Sequence, residues 1–252
     1  NKPKLIVGIV IDQMRYDYLT KFNANFSEGG FKRLLNLGFN FNNAHYNYFP
    51  TQTGPGHASI YTGTTPSNHG IVANDWYDLN LGAPLNCVEV HGYKTLGNGE
   101  KKSISPQNLK SIGLSDVIKN AYGRKSKIVS LSIKDRGAVL PGGFSANLVL
   151  WLDRKSGEFI SSSYYGESLK EWVNTFNKSA KKEEFIKSNW ELLLPLKNYV
   201  NTFDPDNNAW EAPYEGQTET AFPHPWSEIF KVEGYEVIAG SPFGNTILTD
   251  LA

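Results

Sequence analysis

Lys4-Leu-Ile-Val-Gly-Ile-Val-Ile-Asp12 is an apolar run rich in β-branched residues and closed by a carboxylate. A run of this length and composition reads as a strand buried on both faces, the kind that parallel sheets use. Asp12 would then stand at the carboxyl end of that strand, the usual place for ligands in open α/β sheets. The structural alternative is that Asp12 caps the helix that follows.

The pattern continues outward from this run. Residues 31–37 read as a helix closed by Gly38, and 39–48 alternate enough to suggest a second strand. Ser115 to Tyr122 carries a Ser cap, apolar Val117 and Ile118, and Gly123 as a stop, which again reads as a helix. Lys127 to Ile133 is another apolar strand, and it runs into Lys134, Asp135 and Arg136. Strand, helix, strand, helix through residue 136 predicts βαβ units: an α/β fold with a mostly parallel sheet sandwiched between helices.

Composition limits what such a fold could do. The 252 residues carry 25 Lys plus Arg against 25 Asp plus Glu, without the cationic excess that nucleic-acid or anionic-membrane binding draws on. One cysteine, Cys87, closes no internal disulfide and rules out a Cys-rich zinc site. The longest apolar run falls well short of the roughly 18 residues a membrane span needs. The chain begins at Asn1 rather than Met, as expected of a processed or trimmed chain.

After Trp151 the character changes. Residues 157–177 carry Ser, Tyr and Trp on a weak pattern, and 202–225 are loop-like with four prolines. The expected organisation is an amino-terminal part of an α/β core over 1–150, an accessory or cap insertion over 151–240, and a truncated return to the core over 241–252. The last stretch, from Gly244 to Ala252, reads as a helix in mid-course.

Phe49-Pro-Thr-Gln-Thr-Gly-Pro-Gly-His-Ala-Ser-Ile-Tyr-Thr-Gly63 bears the chemistry. A Pro- and Gly-rich turn gives way to a helix starting at Gly54 or Pro55, so Thr53 sits at or just before its N-terminus. Exposed amides and the helix dipole there stabilise negative charge, whether an alkoxide or a phosphoryl group. The bland alternative is an N-cap threonine.

Phe49-Pro-Thr-Gln-Thr-Gly-Pro-Gly-His57, downstream of an apolar strand ending in Asp12, resembles the nucleophile segment of the alkaline phosphatase superfamily. Within it, the segment is similar to the type I phosphodiesterase and nucleotide pyrophosphatase branch, with its Pro-Thr-x-Thr context. Asn68-His-Gly-Ile-Val-Ala-Asn-Asp-Trp-Tyr77 resembles that branch's next signature. Ser132-Ile-Lys-Asp-Arg-Gly-Ala-Val139 resembles the Lys-x-Arg segment of PafA-type alkaline phosphatases, a monoesterase lineage. Pro141-Gly-Gly-Phe144, Trp151 and Asp153 continue in register.

The resemblance implies Thr53 as a nucleophile that forms a phosphothreonine, with Asp12 and Thr53 on one zinc of a two-zinc site. It implies that Asn74 donates its amide to a phosphate oxygen, and that Lys134 and Arg136 clamp the other oxygens. The physical logic agrees. A threonine hydroxyl is almost fully protonated at neutral pH and needs activation, and a loose phosphoryl-transfer transition state leaves charge on the equatorial oxygens. Two clamping cations favour monoesters, which carry two charged oxygens, over diesters. His57 is expected to be a structural hydrogen-bonding histidine, and no histidine is assigned to metal.

The family's remaining zinc ligands, an Asp-x-x-x-His motif, an Asp-His pair and a distal histidine, have no counterpart here. Two oxygen ligands fall short of the three protein ligands a catalytic zinc usually takes. The expectation is therefore an amino-terminal half of a longer enzyme with half of the metal site. Its partner would be a small phosphate ester, and its compartment periplasmic or extracellular. The alternatives are a phosphodiesterase or nucleotide pyrophosphatase and, from another class, a non-catalytic module whose Trp and Tyr residues bind sugars or a protein.

Overall fold

A computed structural model describes residues 3–199, except 124, 180 and 188, together with residues 206–252. The chain divides into two compact units, Asn1–Asn47 with Leu192–Pro205, and Tyr48–Glu191 with Asp206–Ala252.

Among its described residues the first unit holds two short α-helices, α1 (Tyr18–Lys21) and α2 (Phe31–Leu37). Helix α2 has the expected bounds, although Gly38 closes it in extended rather than left-handed geometry. The expected strand over Lys4–Asp12 is not formed, and its apolar side chains are exposed, Leu5 at 78% and Ile9 at 76%. No strand forms at 39–48 either. The reason is shared. A strand exists through the ladder to its neighbour, and among the described residues nothing pairs with either segment.

The second unit is a layered α/β body. Helices α3 (Thr53–Thr62) and α4 (Pro66–His69) precede a hairpin, β1 (Asp75–Asp78) with β2 (Ala83–Asn86). Then come β3 (Thr95–Leu96), α5 (Leu114–Tyr122), β4 (Val129–Ser132), α6 (Asp135–Gly142), β5 (Leu148–Asp153) and β6 (Glu158–Ser162). The remaining helices are α7 (Glu171–Asn177), α8 (Lys181–Phe185), α9 (Trp226–Glu233), α10 (Glu236–Ala239) and α11 (Pro242–Leu251). The main sheet runs β3-β6-β5-β4. It is mixed rather than mostly parallel: β4 and β5 are parallel, while β6 runs against both β5 and β3.

Strand β5 organises the core. Every one of its six residues is buried, and successive side chains point to opposite faces. Val149 and Trp151 join Ala58 of α3 and Ala138, Val139 and Leu140 of α6 in one cluster. Leu148, Leu150 and Leu152 join Val173, Trp226, Ile229, Ile238, Ile247 and Leu251 of α7, α9, α10 and α11 in the other. The helices therefore sandwich the sheet, as the sequence predicts. A boundary at residue 150 falls inside β5, and β6 belongs to the same sheet. The chain reverses between these strands because Asp153 Oδ1 takes the amides of Lys155 and Ser156.

Candidate active site

Thr53 is the first residue of α3. Gln52 precedes it in extended geometry, and its carbonyl accepts the first helical hydrogen bond, from Gly56 N–H at 2.8 Å. Pro55 has no N–H to leave unsatisfied in this first turn. Gly54 is required by a close approach: a Cβ there would lie 2.9 Å from Cys87 Sγ and 3.2 Å from Asn74 Oδ1.

Asn74 comes from the residue before β1 and is tied to the start of α3. Gly54 N–H donates to Asn74 Oδ1 at 2.7 Å. The oxygen end of the amide is thereby engaged, and Nδ2 remains as its donor. Behind it, Cys87 N–H donates to Asn74 O at 2.8 Å.

Lys134 and Arg136 straddle a helix start. Lys134 is the N-cap of α6 and Arg136 its second residue, directly after the carboxyl end of β4. Arg136 Nη1 lies 3.6 Å from Asp135 Oδ1, with both side chains largely buried, while the buried Arg136 Nε has no hydrogen-bond partner among the described residues. Lys134 makes no ion pair among them. Helix α6 packs on α3, where a Cβ at Gly137 would come within 3.7 Å of His57 Nε2. His57 Nδ1 bonds Thr53 O at 2.9 Å, consistent with a structural role next to the helix start.

Electrostatics link the two segments. Burial pushes the Cys87 thiol up to about 12, and the Arg136 guanidinium opposes that rise. Cys87 thus lies beside Gly54 and within the field of Arg136, and sequence reasoning does not find it because a lone buried cysteine carries no local signal. A cavity of about 320 Å³ opens at the carboxyl ends of β4 and β5, lined by residues 133–136 and 151–155, with Glu100 and Lys102 also on its wall. That is where open α/β sheets hold ligands. Lys102 and Lys155 both pair with Glu100, at 3.0 and 3.4 Å.

The structure thus brings Asn74 to the start of α3 at Thr53, and sets Lys134 and Arg136 at the start of α6, the helix packed on α3. Asp12 lies in the other unit, exposed, with its Oδ1 accepting from Gln13 N–H. Among the described residues no three His, Cys, Asp or Glu side chains gather as a metal ion would require. The donor set present does not by itself fit a catalytic zinc.

Residues 6–222 match the family described as type I phosphodiesterase / nucleotide pyrophosphatase. The chain is 41% identical, over its full 252 residues, to the alkaline phosphatase PhoV of Synechococcus elongatus, covering 46% of that protein. It is also similar to the crystal structure of wild-type alkaline phosphatase PafA, with a TM-score of 0.94 and 38% identity over all of this chain and 49% of that one. A PafA variant, in which a threonine is changed to serine and an asparagine, a lysine and an arginine to alanine, matches with a TM-score of 0.92 and 37% identity, again over all of this chain and 49% of that one. The chain thus spans about half the length of the relatives it matches.

Proposed function

The chain belongs to the type I phosphodiesterase / nucleotide pyrophosphatase family, and from that premise we propose that it serves the hydrolysis of phosphate monoesters, with Thr53 as the nucleophile. The observation that carries this reading is the bond from Gly54 N–H to Asn74 Oδ1, which sets an amide donor beside the start of the nucleophile helix.

Each group then has a task. The N-terminus of the ten-residue α3 favours negative charge beside Thr53. Asn74 Nδ2 donates to one non-bridging oxygen. Lys134 supplies a point charge and Arg136 a planar fork to the others, and the orphaned Nε of Arg136 is a buried donor that an oxyanion would satisfy. Charge spread over the equatorial oxygens in the transition state is what these donors meet. The substituted residue types of the PafA variant, Thr, Asn, Lys and Arg, follow the order of Thr53, Asn74, Lys134 and Arg136, with equal spacing within the Thr–Asn and Lys–Arg pairs, which supports this assignment.

Zinc dependence, a phosphothreonine intermediate and a periplasmic or extracellular setting belong to the same reading on the family resemblance. The described residues assemble no three-ligand set.

The test is turnover of an aryl phosphate monoester against the matching diester by the complete gene product, with zinc and with chelator. Thr53→Ala should abolish monoester turnover. Removing the charge-assisted bonds with Lys134→Ala and Arg136→Ala should cost about 10- to 100-fold on the monoester and clearly less on the diester. Full turnover in Thr53→Ala refutes the reading, and equal losses on both substrates move it to the phosphodiesterase alternative.

A further inference from the structure

An N-cap residue normally turns its side chain back onto the first helical amides. Gln52, at the N-cap of α3, makes no such bond. Its side chain leaves the helix, and Gln52 Oε1 accepts the backbone N–H of Asn74 at 2.8 Å across 22 positions of sequence. The capping that Gln52 does not provide comes from the other direction, since Asn74 Oδ1 accepts from Gly54 N–H at 2.7 Å.

These two bonds are reciprocal. The side chain of the residue before Thr53 holds the backbone of Asn74, and the side chain of Asn74 holds the backbone of the residue after Thr53. A capping box does the same between an N-cap and the third helical residue, each satisfying a donor of the other. Here the exchange joins two separate segments, and Thr53 lies between its two anchor points. A third bond, from Cys87 N–H to Asn74 O at 2.8 Å, fixes Asn74 from behind. With its N–H, its O and its Oδ1 all engaged, Asn74 has little freedom to rotate, so its Nδ2 keeps one direction relative to Thr53.

We propose that Gln52 is a positioning residue of the site: it reaches no substrate itself and acts through Asn74, whose amide it fixes relative to the Thr53 hydroxyl. The proposal rests on the phosphoryl-transfer reading given above. Pre-set donors contribute most when they need not reorganise as charge develops. Loss of the Gln52 bond should therefore lower turnover without removing any group that contacts the phosphate.

The test uses Gln52→Met, which keeps length and removes the acceptor, alone and combined with Asn74→Ala in the complete gene product. If Gln52 acts through Asn74, Gln52→Met lowers kcat/KM for an aryl phosphate about 3- to 10-fold in the wild-type background and less than 2-fold in the Asn74→Ala background. Equal losses in both backgrounds overturn the proposal, because they show an effect that does not pass through Asn74. A second readout is independent of catalysis: amide hydrogen exchange at Asn74 should quicken in Gln52→Met, while amides in β5 stay unchanged. Unchanged exchange at Asn74 also overturns the proposal. Full turnover in Thr53→Ala would defeat the functional reading instead, and the exchange measurement would still decide whether the lock exists.

Discussion

Two glycines on one turn of α3 should respond in opposite ways to the same added methyl. At Gly54 a Cβ would sit 2.9 Å from Cys87 Sγ, 3.2 Å from Asn74 Oδ1 and 3.3 Å from Ala73 O. Cys87 is fully buried and has nowhere to retreat, and the two oxygens belong to the segment that anchors Asn74. At Gly56, two residues on, nothing lies within 4 Å of the added carbon. Alanine improves an open helical position by up to about 1 kcal/mol, through helix propensity and a less flexible unfolded chain. Overpacking costs about 1–3 kcal/mol, and stretching the Gly54 to Asn74 bond adds to that. Gly54→Ala should therefore lose about 1–2 kcal/mol net, and Gly56→Ala should gain roughly 0.5. In a chain of this size that means Tm falls by about 2–8 °C for the first and rises by about 1–2 °C for the second. Urea unfolding followed by tryptophan fluorescence, with the slope checked for constancy, reads both. Adding Cys87→Ala to Gly54→Ala should restore part of the loss, since it removes the shortest contact. A Gly54→Ala protein as stable as wild type would refute the packing argument.

Two further outcomes follow from buried titrating groups. With its thiol pushed up to about 12, Cys87 should be inert to iodoacetamide at pH 8, where only about one molecule in 10⁴ is thiolate, and should react at an ordinary rate in urea. Mass spectrometry of the alkylated chain checks this, and rapid native labelling would contradict it. His69 is fully buried, with Nδ1 accepting from Ile71 N–H at 3.1 Å and Nε2 bonded to Ser59 Oγ at 2.9 Å, and burial lowers its pKa. The folded state thus binds a proton at His69 less readily than the unfolded chain does. Its contribution to stability is complete above the unfolded value of about 6.5 and shrinks as pH falls from there toward the folded value. The urea midpoint should drop between pH 7.5 and 5, and drop less in His69→Gln; equal drops would rule His69 out as a source.

Much of the second unit is legible in sequence because its signals are local. Pro55 and the turn before it mark the start of α3 within a residue, Gly123 stops α5, and the apolar stretch before Lys134 marks β4. The misreadings fall where structure depends on a distant partner. Lys4 to Asp12 has the composition of a central strand, but composition supplies only half of a ladder. The sheet direction is similar: the antiparallel β6 follows from a turn held by Asp153, whose carboxylate also accepts Glu100 N–H, and no spacing announces that. For the site, Thr53, Asn74, Lys134 and Arg136 are recognisable as motif residues. Gln52 and Cys87 are not, because each matters only through what the fold sets beside it.

The hairpin of β1 and β2 has a consequence for how this architecture can vary. Asn74 and Cys87 stand at its two feet, joined by a backbone bond, and Asn86 Nδ2 donates to Asp75 Oδ1 at 2.9 Å just above them. Its tip is exposed, with Leu79 at 89%, and closes on itself through Asp78, Asn80 and Leu81. Because the feet are clamped independently of the tip, residues around 79–82 can be lengthened, shortened or recoded without shifting Asn74. A lineage could thus elaborate this one loop while the atoms at the base of the hairpin stay in register.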